Sequence, residues 1–406
     1  MTGRLVLDGT GESEGQAGVF RRRVLYIPGY DPFPPRRYRE LYRKEGAAQA
    51  SISGYALTVE GRGGPDYGWR VRSDMGRPAE TWVEVLVWSD LVRRSMGRGI
   101  PGTYLLLART AWVYLASGAL GRLVRLRKGP MIAALYPAVL LLLQLVVALL
   151  AGALVLWLVP WAGVGWLLAA GMVWAVLEGF RRLDRRLFVY YLMHDYAFTA
   201  MARGAWPVAL EERLAQFRAR LRAALATGVD EVLVVGHSSG VHLAVSVLAG
   251  LIREGMPRGP ALGFLSLGQV VPMASFLPGA ARLRGDLRYL SASEELTWVD
   301  VTAPGDGCTF ALCDPVAVSG VAPEGQRWPL VISAAFSLTL SAERWRALRW
   351  RFFRLHFQYL CAFDRPGDYD YFRITAGPVT LAERFRGRRP SAGRIDRALS
   401  PFRDVA

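Results

Sequence analysis

An α/β fold is what the 406-residue sequence predicts: a mostly parallel sheet with helices on both faces, interrupted by an inserted transmembrane helical hairpin. Two observations carry this expectation. Short, wholly apolar runs such as 232–235 alternate with helical segments, as in a parallel sheet buried on both faces. The segment 129–177 contains no charged side chain, with Gln144 its most polar residue.

The elements follow in chain order. Residues 1–22 form an expected flexible lead, Gly/Glu-rich over 5–20, with no continuous apolar core for export. The first part of the α/β domain spans 23–98. Its strand 24–27 is stopped by Pro28 and Gly29, a helix covers 36–50, and a second strand covers 81–88. Residues 99–207 form the membrane-associated insertion. Within it, 101–121 is apolar but carries Arg109 near its middle, which predicts an amphipathic or interfacial helix. The uncharged segment is too long for one crossing, so it must fold back. Pro160, flanked by Trp157 and Trp161, is the expected break, leaving spans at 132–158 and 161–179. The second part of the domain runs over 208–406. It opens with an amphipathic helix at 208–226, its apolar face formed by Leu210, Leu214, Phe217, Leu221 and Leu225. Strands follow at 232–235, 262–267, 296–302 and 329–335.

Charge orients the hairpin. Arg122, Arg125, Arg127 and Lys128 precede the first span, and Arg181, Arg182, Arg185 and Arg186 follow the second. The positive-inside rule then places both outer ends, and with them the α/β domain and both termini, in the cytoplasm. A re-entrant hairpin in one leaflet and a buried core hairpin are the alternatives. The formal charge of +16 does not itself point to nucleic acid. Its basic residues are nearly all arginine and scattered, not gathered into a binding module. Three cysteines without an export signal fit a reducing compartment. No cofactor and no metal are expected, and oligomeric state is left open.

The chemistry-bearing motif follows the strand at 232–235. Gly236, His237, Ser238, Ser239 and Gly240 spell G-x-S-x-G between a strand and a helix, the setting of a nucleophile elbow. On these residues the chain resembles the α/β-hydrolase superfamily over roughly 23–90 and 208–362, with Ser238 matching its nucleophile. The resemblance implies the chain order serine, acid, histidine. Of four histidines, His194 precedes the serine, His237 lies in the elbow and His242 lies one turn into the helix. Only His356 satisfies the order. The acid should follow a strand, which selects Asp306 in the loop after 296–302. Asp314 is the reserve, and Asp300 sits within the strand. The oxyanion hole implied by the resemblance uses backbone N–H groups of Ser239 and Tyr30. Pro28 and Gly29 replace the His-Gly of many relatives, a departure that bears on Tyr30.

Two further segments stand out. The arginine- and aromatic-rich run 341–356 reads either as a membrane-surface segment or as a helix packed on the sheet. Asp364, Asp368 and Asp370 read as a solvated acidic loop. The resulting expectation is a membrane-anchored serine hydrolase acting on carboxylic esters, lipid or acyl esters foremost. Thioester hydrolysis and acyl transfer would use the same residues. The competing expectation is a catalytically silent domain of this fold serving as a membrane scaffold or binding module. A transporter would need more spans and intramembrane ionisable groups.

Overall fold

The computed structural model describes residues 18–61, 67–159, 161, 163–257 and 259–406. Most of the expected flexible lead, and the expected break at Pro160, lie outside the described residues.

Among the described residues eight strands form one sheet. They are β1 (Phe20–Ile27), β2 (Ala56–Gly61), β3 (Gly68–Asp74), β4 (Pro78–Val85), β5 (Glu231–His237), β6 (Ala261–Leu267), β7 (Thr297–Thr302) and β8 (Leu330–Ser333). Their order is β2-β3-β4-β1-β5-β6-β7-β8, parallel from β4 to β8, with β3 antiparallel to both β2 and β4. The first strand therefore begins ahead of the expected boundary at residue 23. The 81–88 strand is shifted back to 78–85, and the last strand is shorter than expected. The β2–β3 pair is not marked in the sequence by any apolar run.

The strand pleat divides the core. Val232 and Val234 of β5 enter one apolar cluster, while Leu233 and Val235 enter the other. All four are essentially inaccessible to solvent. Each such side chain contributes roughly 1.5–3 kcal/mol of transfer free energy. Helix α1 (Arg36–Ser53) lies with the second cluster. The first is covered by two helices, Val208–Leu225 and Gly240–Arg253.

Between β4 and β5 the chain builds a helical insertion. After α2 (Ser89–Ser95) come α3 (Ile100–Ala116), α4 (Ala119–Leu126), α5 (Lys128–Leu158), α6 (Val164–Arg182), α7 (Asp184–Leu187) and α8 (Val189–Met201). The two helices that then cover the sheet are α9 (Val208–Leu225) and α10 (Gly240–Arg253). Helix α3 is amphipathic: Leu106, Thr110 and Tyr114 are buried, while Arg109 and Trp112 face out. Among the described residues two helices are long and apolar enough to cross a membrane. They are α5, with 31 residues, and α6, with 19, whose most apolar 18-residue windows have mean hydropathy 2.9 and 1.3. At 1.5 Å per residue they are about 46 and 28 Å long. They pack on each other and start and end differently from the expected 132–158 and 161–179. Their outer faces carry exposed apolar side chains, among them Leu150, Leu154 and Leu167. The hairpin base is fastened to the sheet domain. Arg127 donates two hydrogen bonds to the Ala311 carbonyl, at 2.9 and 2.6 Å. Leu123, Leu126 and Met131 share an apolar cluster with Met273, Phe276 and Phe310.

Candidate active site

The site lies where β1 and β5 run side by side. From this pair the chain proceeds to β4 on one flank and to β6 on the other, which opens a crevice at the strands' C-terminal ends. Loops from β1, β5 and β7 meet there.

Ser238 follows β5 with φ 57°, in the left-handed region that a serine seldom occupies. Its two neighbours in the motif explain the tight turn. A Cβ on Gly240 would stand 2.3 Å from the Ile27 carbonyl oxygen, and one on Gly236 would stand 3.0 Å from the Val241 Cα. The start of α10 thus lies directly against the end of β1. The β1 loop is held from several sides. Trp88 Nε1 donates to the Pro28 carbonyl at 2.9 Å, the Tyr191 hydroxyl donates to the Tyr30 carbonyl, and the Tyr30 hydroxyl bonds Ser95 Oγ at 2.5 Å. The Tyr30 backbone N–H donates to Ser239 Oγ at 2.8 Å. The donor expected for an oxyanion is therefore engaged by the side chain of the other expected donor.

Asp306 follows β7 in a turn that fixes both carboxylate oxygens. Oδ1 accepts the Cys308 N–H at 2.9 Å, and Oδ2 accepts from His356 Nδ1 at 2.7 Å. His356 ends the short helix Phe352–His356 and is 7% exposed. With Nδ1 donating, the ring's Nε2 is left as the atom that can accept a proton. The reserve acid is committed elsewhere, since Asp314 caps the helix Pro315–Val318, accepting from the Val316 and Ala317 N–H groups and from Gln326. Asp300 is buried and accepts from Ser266 Oγ at 2.6 Å, and burial pushes its carboxyl up to about 8.

His237 holds the histidine loop. Its Nε2 donates to the His356 carbonyl at 3.0 Å, with the ring centroids 4.8 Å apart. Burial, reinforced by His356, pushes its pKa down to about 3, so the imidazole stays neutral and a fixed donor. His242, one turn into α10, is not remote from the site. It reaches the cavity wall beside Trp206, with its pKa pushed down to about 4 by burial. His194 is buried against its own helix, Nδ1 to the Tyr190 carbonyl at 2.7 Å.

Ser238 and His356 line one cavity of about 90 Å3 with Gly29, Tyr30 and Ser239. No hydrogen bond joins Ser238 to His356. Helix α8 roofs the cavity with Tyr191, Asp195 and Tyr196, and Pro130 at the start of α5 also lines it. Asp195 is a site residue that no motif selects, and from sequence it reads only as part of an aromatic helix near the interface. Burial pushes its carboxyl up to about 7, with His356 opposing. The available signal is spacing, since Tyr191, Asp195 and Thr199 share one face at four-residue intervals.

Compared with family models, curated proteins and solved structures, the chain matches none.

One group of metal-capable donors occurs among the described residues. The donor atoms of Asp306, Cys308 and His356 lie within 4.8 Å of one another. Two of the three are already joined by the Asp306–His356 hydrogen bond, and burial pushes the Cys308 thiol up, away from a ligating thiolate. The run 341–356 is two short helices, Ala342–Leu348 and Phe352–His356, not one segment. Nor is the acidic loop merely solvated. Asp364 accepts the Ser341 N–H at 2.6 Å, Asp368 pairs with Arg388 at 2.6 Å, and Asp370 caps the helix Tyr371–Ala376.

Proposed function

We propose that the chain is a membrane-anchored serine hydrolase of the α/β-hydrolase type, cleaving carboxylic esters of lipid or acyl character. The observation that carries this reading is the 2.7 Å Asp306–His356 hydrogen bond beside a serine at φ 57° in the same cavity. Ser238 Oγ attacks the ester carbonyl and passes its proton to His356 Nε2, while Asp306 orients the ring and stabilises the imidazolium. The oxyanion is held by the Ser239 N–H and by the Tyr30 N–H, released when the Ser239 hydroxyl turns away. One such donor is worth roughly 10²–10³ in rate. The tetrahedral species expels the alcohol, which takes the proton from His356. Water then attacks the acyl-enzyme by the same route in reverse.

In this reading α5 and α6 span the bilayer and the basic clusters at their base face the cytoplasm. A catalytically silent domain of the same fold has two observations in its favour: the Ser238–His356 bond is open and the Tyr30 N–H is occupied. Apo sites commonly tighten only around substrate, so this geometry is compatible with catalysis.

A fluorophosphonate probe discriminates the two. Detergent-solubilised protein should be labelled, with labelling abolished in Ser238→Ala and reduced at least about a hundredfold in His356→Ala. Labelling that persists in Ser238→Ala, or an unreactive wild type, overturns the hydrolase reading.

A further inference from the structure

A second cavity adjoins the catalytic one. It measures about 170 Å3 and lies between α3, α5 and α8, walled by Leu107, Ala111, Ala134 and Ala138. Its lining is almost wholly apolar, with the unpartnered Thr110 hydroxyl the exception, so it offers burial far more than hydrogen-bond recognition. Tyr114, Tyr196 and Met273 line both cavities and form the partition between them. The Tyr114 hydroxyl donates to the Met273 carbonyl at 2.9 Å, which ties this partition together and satisfies its polar group. At the rim stand Leu115 and Leu135, 61% and 43% exposed. Leu135 belongs to α5, whose outward face continues with Ile132 and Val139, both exposed. The mouth therefore opens onto the apolar surface of a helix long enough to cross a bilayer.

We propose that this cavity receives the carboxyl-proximal carbons of a fatty acyl chain whose tail lies along α5 in the bilayer, so that the ester carbonyl reaches Ser238 between Tyr114, Tyr196 and Met273, which part to admit it. The proposal rests on the hydrolase reading for its ester and on the cavity alone for its acyl chain. It gives the hairpin a second role: α5 supplies one wall of the substrate's binding site as well as the anchor. A headgroup or alcohol would occupy the catalytic cavity under Asp195 and Tyr191, and about the first six carbons of the chain would occupy the apolar cavity. Short esters would react without using the second cavity. Long-chain esters would depend on it.

The test uses the full chain in detergent and a palmitate analogue bearing a diazirine at about its sixth carbon, the length of chain a cavity of this size holds. Irradiation should attach it to peptides from 107–138 and 193–196, and excess palmitate should suppress the labelling. Ala111→Phe and Ala138→Phe fill the cavity from opposite walls. Each should cut labelling, and kcat/KM for p-nitrophenyl palmitate, at least about tenfold, with p-nitrophenyl acetate hydrolysis unchanged within about twofold. Labelling of wild-type protein that spreads along the lipid-facing sides of α5 and α6, or that palmitate does not suppress, overturns the proposal. So does an unaltered chain-length profile in both variants. Competed labelling of the cavity in a wild type that hydrolyses no ester supports the acyl site and overturns the hydrolase reading, which separates the two failures.

Discussion

Ser238 and Asp195 each hold an unfavourable state that the surrounding fold enforces. A left-handed serine costs about 1–2 kcal/mol, against about 0.5–1 kcal/mol of added unfolded-state entropy for a glycine. Ser238→Gly should therefore abolish probe labelling while raising thermal stability by roughly 0.5–1 kcal/mol. A lower melting temperature for this variant would contradict the strain. Asp195 tests the pH dependence. Its carboxyl is raised from 3.8 to about 7. Below about pH 4 it is protonated whether folded or unfolded and costs nothing. As pH rises toward 7 the unfolded chain ionises while the folded carboxyl stays protonated, so stability falls, and above about 7 the penalty is constant. Asp195→Asn should thus raise the melting temperature at pH 8, with the gain shrinking toward pH 5. An equal gain at both pH values would refute the shift. Of the site residues, Ser238 is legible in sequence because its turn is local, and His356 because histidines are scarce. The role of Asp195 is not, since only the folding of α8 over the sheet brings it to His356.

Elements differ in how openly they announce themselves, and burial is the reason. β5 and β6 are covered on both faces, so each is dominated by an apolar run, 232–235 in β5 and 261–265 in β6. The β2–β3 hairpin alternates apolar residues with Arg70, Arg72 and Glu60, and its edge strand is largely exposed, so no apolar run marks it. The 341–356 run breaks in the middle, which its composition conceals. A buried ion pair joins distant elements more tightly than its sequence suggests. Arg22 of β1 and Glu231 of β5 meet at 2.5 Å, both essentially inaccessible. Arg22 also donates to the Gly377 carbonyl at 2.7 Å, and Glu231 accepts the Leu381 N–H at 2.6 Å, which fastens the C-terminal segment across the sheet. Arg22→Leu should destabilise the protein by about 3–5 kcal/mol, because it strands a buried carboxylate. The double variant with Glu231→Leu should lose less. Thermal melts of the two variants decide it, and a double variant no better than the single would argue against an isolated buried pair.

Taken whole, the molecule is a sheet domain whose chain leaves at β4, builds two apolar helices and returns at α9, so both parts of the domain must lie on one side of any membrane the hairpin enters. Lys44→Cys and Arg389→Cys occupy exposed sites in the two parts, and Trp161 lies exposed between the helices. In sealed vesicles a membrane-impermeant maleimide should reach the first two from one face and Trp161→Cys from the other. Reaction of all three from one face would indicate a re-entrant hairpin, and opposite faces for the first two would refute the insertion model. Sequence alone locates the hairpin through its missing charges, but not its contact with the site, because Pro130 of α5 reaches the cavity holding Ser238 and His356 only through tertiary packing. That shared wall carries a thermodynamic consequence. Any compound filling the cavity and any bilayer gripping α5 act on the same helices, so their effects are linked and reciprocal. Whatever factor a change of lipid thickness imposes on inhibitor affinity, saturating inhibitor must impose in return on the protein's partitioning between those lipids.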